Sequence, residues 1–143
     1  MAGSFSDFLE LELLDHVWGA AAYTAPTDHY FGLWLTAATL DDTSTGATGN
    51  EVANTNGYGR QTLVNNATNF PAAAAGAKAN GTAITGWAAS GGNWGEVSWM
   101  GNTDSGTYAS GNMLSWMDLT VPKTINDGDT AEVAIGDFDV TLT

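Results

Sequence analysis

Apolar residues recur along this chain with two different periods. Over residues 5–18 (FSDFLELELLDHVW) they fall at helical spacing. Phe8, Leu11, Leu14 and Trp18 form one stripe, and Leu9, Leu13 and Val17 form a second. Only Glu10, Glu12, Asp15 and His16 interrupt them. Asp7 with Glu10 three residues on has capping-box spacing, Ser6 competes as the cap, and Gly19 is placed to end the helix. A surface helix needs one apolar face. This one has nearly two, so a second face is left either for its own domain or for a partner.

Beyond residue 19 the period shortens. Residues 20–26 (AAAYTAP) read as a linker broken by Pro26. Residues 30–36 are an aromatic-rich run too short for a helix, and strand patterns recur over 58–64, 83–87, 95–102 and 112–119. Residues 40–56 are polar and turn-like and predict a long exposed loop. Residues 65–81 are rich in Ala and Asn, with a bend at Phe70-Pro71. Asn126-Asp127-Gly128-Asp129 is a hairpin signal, because Asn and Asp-Gly tolerate positive φ. It precedes the alternation of Ala131, Val133 and Ile135. In the final run Phe138, Val140 and Leu142 alternate with acidic and polar residues.

Short strands at this spacing predict a mainly β fold: an antiparallel, jelly-roll-like β-sandwich with one N-terminal α-helix. Residues 1–26 are then a helix and linker serving attachment or oligomerisation, and residues 27–143 the sandwich.

Charge and composition narrow the function. Three Lys+Arg stand against 16 Asp+Glu, a net charge of −13. Arg60, Lys78 and Lys123 are far apart, so the clustered cations that phosphates or anionic lipids require are missing, and neither nucleic acid nor a membrane is an expected partner. Cysteine is absent, which removes thiolate chemistry and disulfides. No run reaches the length of a membrane span, and the first residues carry acids where a secretory leader carries bases, so synthesis in the cytosol is expected.

Reactive constellations are hard to assemble. His16 and His29 have no second histidine nearby to share a metal, although Asp28 beside His29 is the one nominal acid–base pair. The carboxylate pairs Asp41/Asp42, Asp127/Asp129 and Asp137/Asp139 fall in turns or on the outward side of a strand, where solvation keeps them ionised. Asp127-Gly128-Asp129 lacks the spacing and terminal glutamate of a calcium loop. No nucleophile elbow, P-loop or dinucleotide fingerprint occurs, and no cofactor is expected. Six tryptophans remain. Trp34, Trp99 and Trp116 sit among apolar strand residues and read as core. Trp87 and Trp94 flank the turn AASGGN, where exposed rings would stack on a sugar or fill a subunit pocket.

The same segments resemble a family of small tailed-bacteriophage virion proteins, described as decoration, cement or fibre-like. FSDFLELELLDHVWG, YTAP, YFGL, YGRQ, NNATNFPAA, GNWGEV, GNMLSWMDL, LTVPKTINDGD and GDFDVTLT carry the resemblance in order along nearly the whole chain. It implies a β-sandwich virion component, made in the host cytoplasm, with no catalytic site. The expectation is a capsid cement protein on the outer surface of the head. It would bind the major capsid protein, associate as a homotrimer, and make contact through Phe5, Phe8, Leu9, Leu11, Leu13, Leu14, Val17 and Trp18. The alternative is a tail or fibre adhesin binding host glycans through Trp87 and Trp94.

Overall fold

A computed structural model describes residues 2–142. The elements in order are β1 (Ala2–Phe5), α1 (Asp7–Val17), β2 (Asp28–Leu35), β3 (Gln61–Val64), β4 (Ala77–Ala79), β5 (Ile84–Ala88), β6 (Gly95–Thr103), β7 (Met113–Ile125), β8 (Thr130–Val133) and β9 (Asp139–Thr141). The long strands β2, β6 and β7 are neighbours in a seven-stranded sheet of order β3-β2-β6-β7-β1-β9-β4, and β5 pairs with β8 in a second, two-stranded sheet. The pairings are antiparallel except β1 with β9, which is parallel. The fold is mainly β and sandwich-like with one N-terminal helix, as the sequence pattern predicts.

Alternation along the central strands buries both faces of the large sheet. Phe31 and Leu33 of β2, Val97 and Met100 of β6 and Met117 of β7 meet Ile84 and Trp87 of β5 and Val133 of β8 in the main core. On the other face Trp34 packs with Ala38, Leu40 and Met113, flanked by Trp99 and Trp116. The Trp34 ring lies across Gly32 and Gly101, which are cross-strand partners. A Cβ on either would come 2.8 Å from that ring, so the glycines of YFGLW and WMGN make room for it.

The polar stretch 40–56 is the long, mostly exposed loop its composition suggests, but it is pinned at a few buried points. Leu40, Ser44, Glu51 and Val52 are buried. Leu35 N–H donates to Asn50 O (2.9 Å) and Val52 N–H to Leu33 O (2.9 Å), so the segment is laced to the edge of β2. Two further differences concern the strands. The turn at 126–129 closes with Asp129 N–H on Asn126 O and Gly128 at φ 88°, but it joins strands of different sheets that do not pair. The alternation after β8 ends where Asp137 N–H bonds to Ala134 O, which leaves Ile135 exposed.

The largest departure is at the N-terminus. The helix starts at Asp7, and the residues before it form β1, seated between β7 and β9. Phe5 is thus a strand residue, registered on Ser115 and packed against the main core. Residues 2–5 are thus part of the sheet, and the helix hangs from a strand inside it.

Candidate functional site

Ser6 makes the junction between strand and helix. It is fully buried. Its N–H donates to Leu114 O at 3.1 Å, its hydroxyl donates to Met113 O, and the same hydroxyl accepts from Leu9 N–H at 3.4 Å as the helix N-cap. One side chain thus caps α1 and fixes it to β7. At the far end Trp18 N–H bonds to Leu14 O, and Gly19 takes φ 83°. The linker then folds back: Ala20 N–H donates to Asp15 O (3.0 Å) and Tyr23 N–H to His16 Nδ1 (3.1 Å). Phe8 and Glu12 meet Tyr23, Pro26 and Asp104 around a groove of about 360 Å³. Burial there, with the Asp104 and Glu12 carboxylates next, raises the Tyr23 hydroxyl pKa.

With the helix so anchored, half-buried and exposed side chains lie on opposite sides of it. Phe8, Leu9 and Leu13, towards the sheet, are half-buried. Leu11 is 63%, Leu14 52%, Val17 64% and Trp18 77% exposed, and no residue of α1 is fully buried. These four side chains leave apolar surface exposed on an anchored helix. It carries no nucleophile or acid–base pair.

The two remaining candidate residues lie elsewhere. Trp87 is 1% and Trp94 7% exposed, so neither offers a ring face to a sugar. The turn between them folds inward: Ala89 N–H bonds to Asp129 O, Ser90 N–H to Asn56 O, and Trp94 Nε1–H to Asn56 O (2.9 Å). Trp94 meets Tyr58 edge-on at 5.4 Å between centroids. A glycan site on Trp87 and Trp94 is thereby overturned, because the loop that flanks them is pinned over the core.

Sequence reasoning missed a buried polar centre. Arg60 and Glu51 form an ion pair with side chains 0% and 2% exposed. Arg60 Nε donates to Glu51 Oε1 and Nη2 to Oε2, both at 2.8 Å, a two-pronged match. The guanidinium also donates to the carbonyls of Gly46 (2.7 Å), Ser105 (2.8 Å) and Ser110 (2.9 Å) and to Thr103 Oγ1 (3.0 Å). Glu51 accepts in addition from Tyr58 Oη and Ala109 N–H. Burial, reinforced by that carboxylate, raises the Tyr58 hydroxyl pKa. Arg60 sits 5.7 Å over the Trp34 ring. The centre ties the 40–56 segment, the start of β3 and the 104–111 loop together. A lone arginine in so acidic a chain was the available signal.

Several other carboxylates brace loops. Asp41 Oδ1 accepts from Thr43 and Ser44, and the hydroxyl of Thr43, the larger cause, lowers its pKa. Asp42 accepts from Trp116 Nε1, Asp104 from Asn112, and Asp127 from Gly91 N–H. His29 lies 3.2 Å from Asn102 and edge-on to Phe70, and burial lowers its pKa against the opposing pull of Asn102 and Asp28. Among the described residues no group of three or more His, Cys, Asp or Glu is placed to hold a metal ion, and no helix is long and apolar enough to cross a membrane.

The chain is a β body whose buried and loop polar side chains brace its structure, with one helix that exposes apolar side chains. The chain belongs to the family described as podophage GP4 fiber I protein gp80, whose model matches residues 4–141. It is accordingly a phage virion structural protein of a fibre-related family. No curated protein matches the chain.

Proposed function

We propose that this chain is a non-enzymatic structural component of a phage fibre, held on the virion by the exposed face of α1. The observation that carries the reading is that Leu11, Leu14, Val17 and Trp18 are exposed on a helix fixed by Ser6 to a central strand. Fully burying such a side chain is worth about 1.5–3 kcal/mol, which gives this face a favourable apolar contribution to association. The fibre-related family supports a place on the tail.

A second reading, capsid cement on the major capsid protein, is favoured by the charge. A surface of net −13 repels packaged DNA and neighbouring particles, which suits an outer coat. Cryo-EM reconstruction of the intact particle separates the two. Density on the fibres supports the first reading, and density between capsomers replaces it with the second. In either place, a particle carrying Leu11→Asp with Leu14→Asp is expected to lose the density. Retention of normal density would refute the role given to α1.

A further inference from the structure

The exposed side of α1 is not purely apolar. Asp7, Glu10 and Asp15 are exposed on it too. Three or four residues along a helix bring side chains together, so Asp7 neighbours Leu11, Glu10 neighbours Leu14, and Asp15 neighbours Leu11 and Trp18. Each exposed leucine therefore has a carboxylate beside it. Nothing on the helix compensates. The first Lys or Arg in the chain is Arg60, which is buried in its ion pair, and His16 accepts the Tyr23 N–H.

This decides what fits the face. A second α1, packed parallel or antiparallel, would bring six carboxylates together with no cation among them, and the bodies behind also repel at −13 each. Resting on the reading of α1 as the attachment element, we infer that its partner is an apolar groove rimmed by lysine or arginine on a different virion protein, not a second copy of this chain. The leucines and Trp18 fill the groove, and the three carboxylates meet its rim. The two occupants respond oppositely to salt. Screening weakens attraction to a basic rim and relieves repulsion between acidic copies.

The test uses the full chain and particles of the parent phage assembled without it. Wild type, Leu14→Ser and the double variant Glu10→Lys with Asp15→Lys are compared for self-association by sedimentation velocity and for re-attachment to those particles, from about 0.05 to about 1 M NaCl, where the screening length falls severalfold. All three side chains are exposed, and thermal melts check that the variants fold. The expected result is no α1-dependent self-association at any salt. Leu14→Ser should lose attachment, and the charge-reversed protein should attach roughly ten-fold more weakly at low salt, a gap that narrows at high salt. Self-association that grows with salt and is abolished by Leu14→Ser would overturn the inference. So would unchanged attachment of the charge-reversed protein. If Leu14→Ser re-attaches like wild type, the attachment role of α1 itself falls, an outcome distinct from the other two.

Discussion

Replacing Arg60 by methionine removes the cation at the centre of the buried network while keeping most of its volume. Glu51 would then remain 2% exposed with Tyr58 Oη and Ala109 N–H as its donors and no counter-charge. The carbonyls of Gly46, Ser105 and Ser110 would lose the same partner at once. Leaving one half of a buried ion pair costs about 3–5 kcal/mol. A domain of this size has a total stability on the order of 10 kcal/mol, so the expected loss is a third or more of the whole. Urea unfolding should show a lower midpoint at unchanged m, because the surface exposed on unfolding is the same. The double variant Arg60→Met with Glu51→Gln removes the stranded charge but not the stranded carbonyls. It should be less destabilised than the sum of the single changes, with a coupling of about 1–3 kcal/mol. Hydrogen exchange in the single variant should rise in 40–56 and 104–111 before it rises in β2, β6 and β7. A loss below about 1 kcal/mol for Arg60→Met, or strict additivity in the double variant, would refute the claim that this pair holds the loops.

Three further outcomes are expected. Ser6→Ala removes the N-cap of α1 and its tie to β7, and should cost about 1–2 kcal/mol by urea unfolding, with faster amide exchange in α1 than elsewhere. Trp87→Ala should destabilise by about 3–5 kcal/mol, because it empties a fully buried site, while leaving binding on a glycan array unchanged from wild type. The His29 pKa is lowered on folding, so the unfolded chain takes up the proton first as pH falls. Stability should be flat above the ordinary histidine range, fall as pH drops through it, and level off below the folded-state value. Thermal melts between about pH 7.5 and 5 check this, and His29→Gln should flatten that limb.

The strands legible in the sequence were the long ones buried on both faces. β2, β6 and the first half of β7 are runs dense in aromatic and large apolar residues, and before and in β9 Phe138 and Val140 point inward. β1 and β4 were not legible. AGSF and AKA hold too little apolar surface to announce a strand, and they become strands because neighbours offer them a ladder: β1 between β7 and β9, and β4 on β9. The 40–56 segment is the mostly exposed loop that composition predicts, but its anchor was not legible. The burial of Glu51 depends on Arg60 nine positions on, and hydropathy read locally scores both residues as surface.

The helix shows where sequence periodicity stops being informative about function. Spacing grouped the apolar side chains around the axis into two stripes, as if one would dock and the other project. The structure largely keeps that division: Leu9 and Leu13 are half-buried while Leu11, Leu14 and Trp18 project, with Phe8 and Val17 the exceptions. A single buried serine holds the first turns of α1 against β7, so Phe8 and Leu9 are covered whichever stripe they belong to. On the side away from the sheet Leu11, Leu14 and Trp18 stand exposed, and Val17 joins them at the end of the helix. The division depends on the angle at which β1 hands over to the helix, and that angle is set by hydrogen bonds to Met113 and Leu114, more than a hundred residues away in the chain. Leu11, Leu14, Val17 and Trp18 are thus left exposed on a helix that a polar contact in the core fixes to β7.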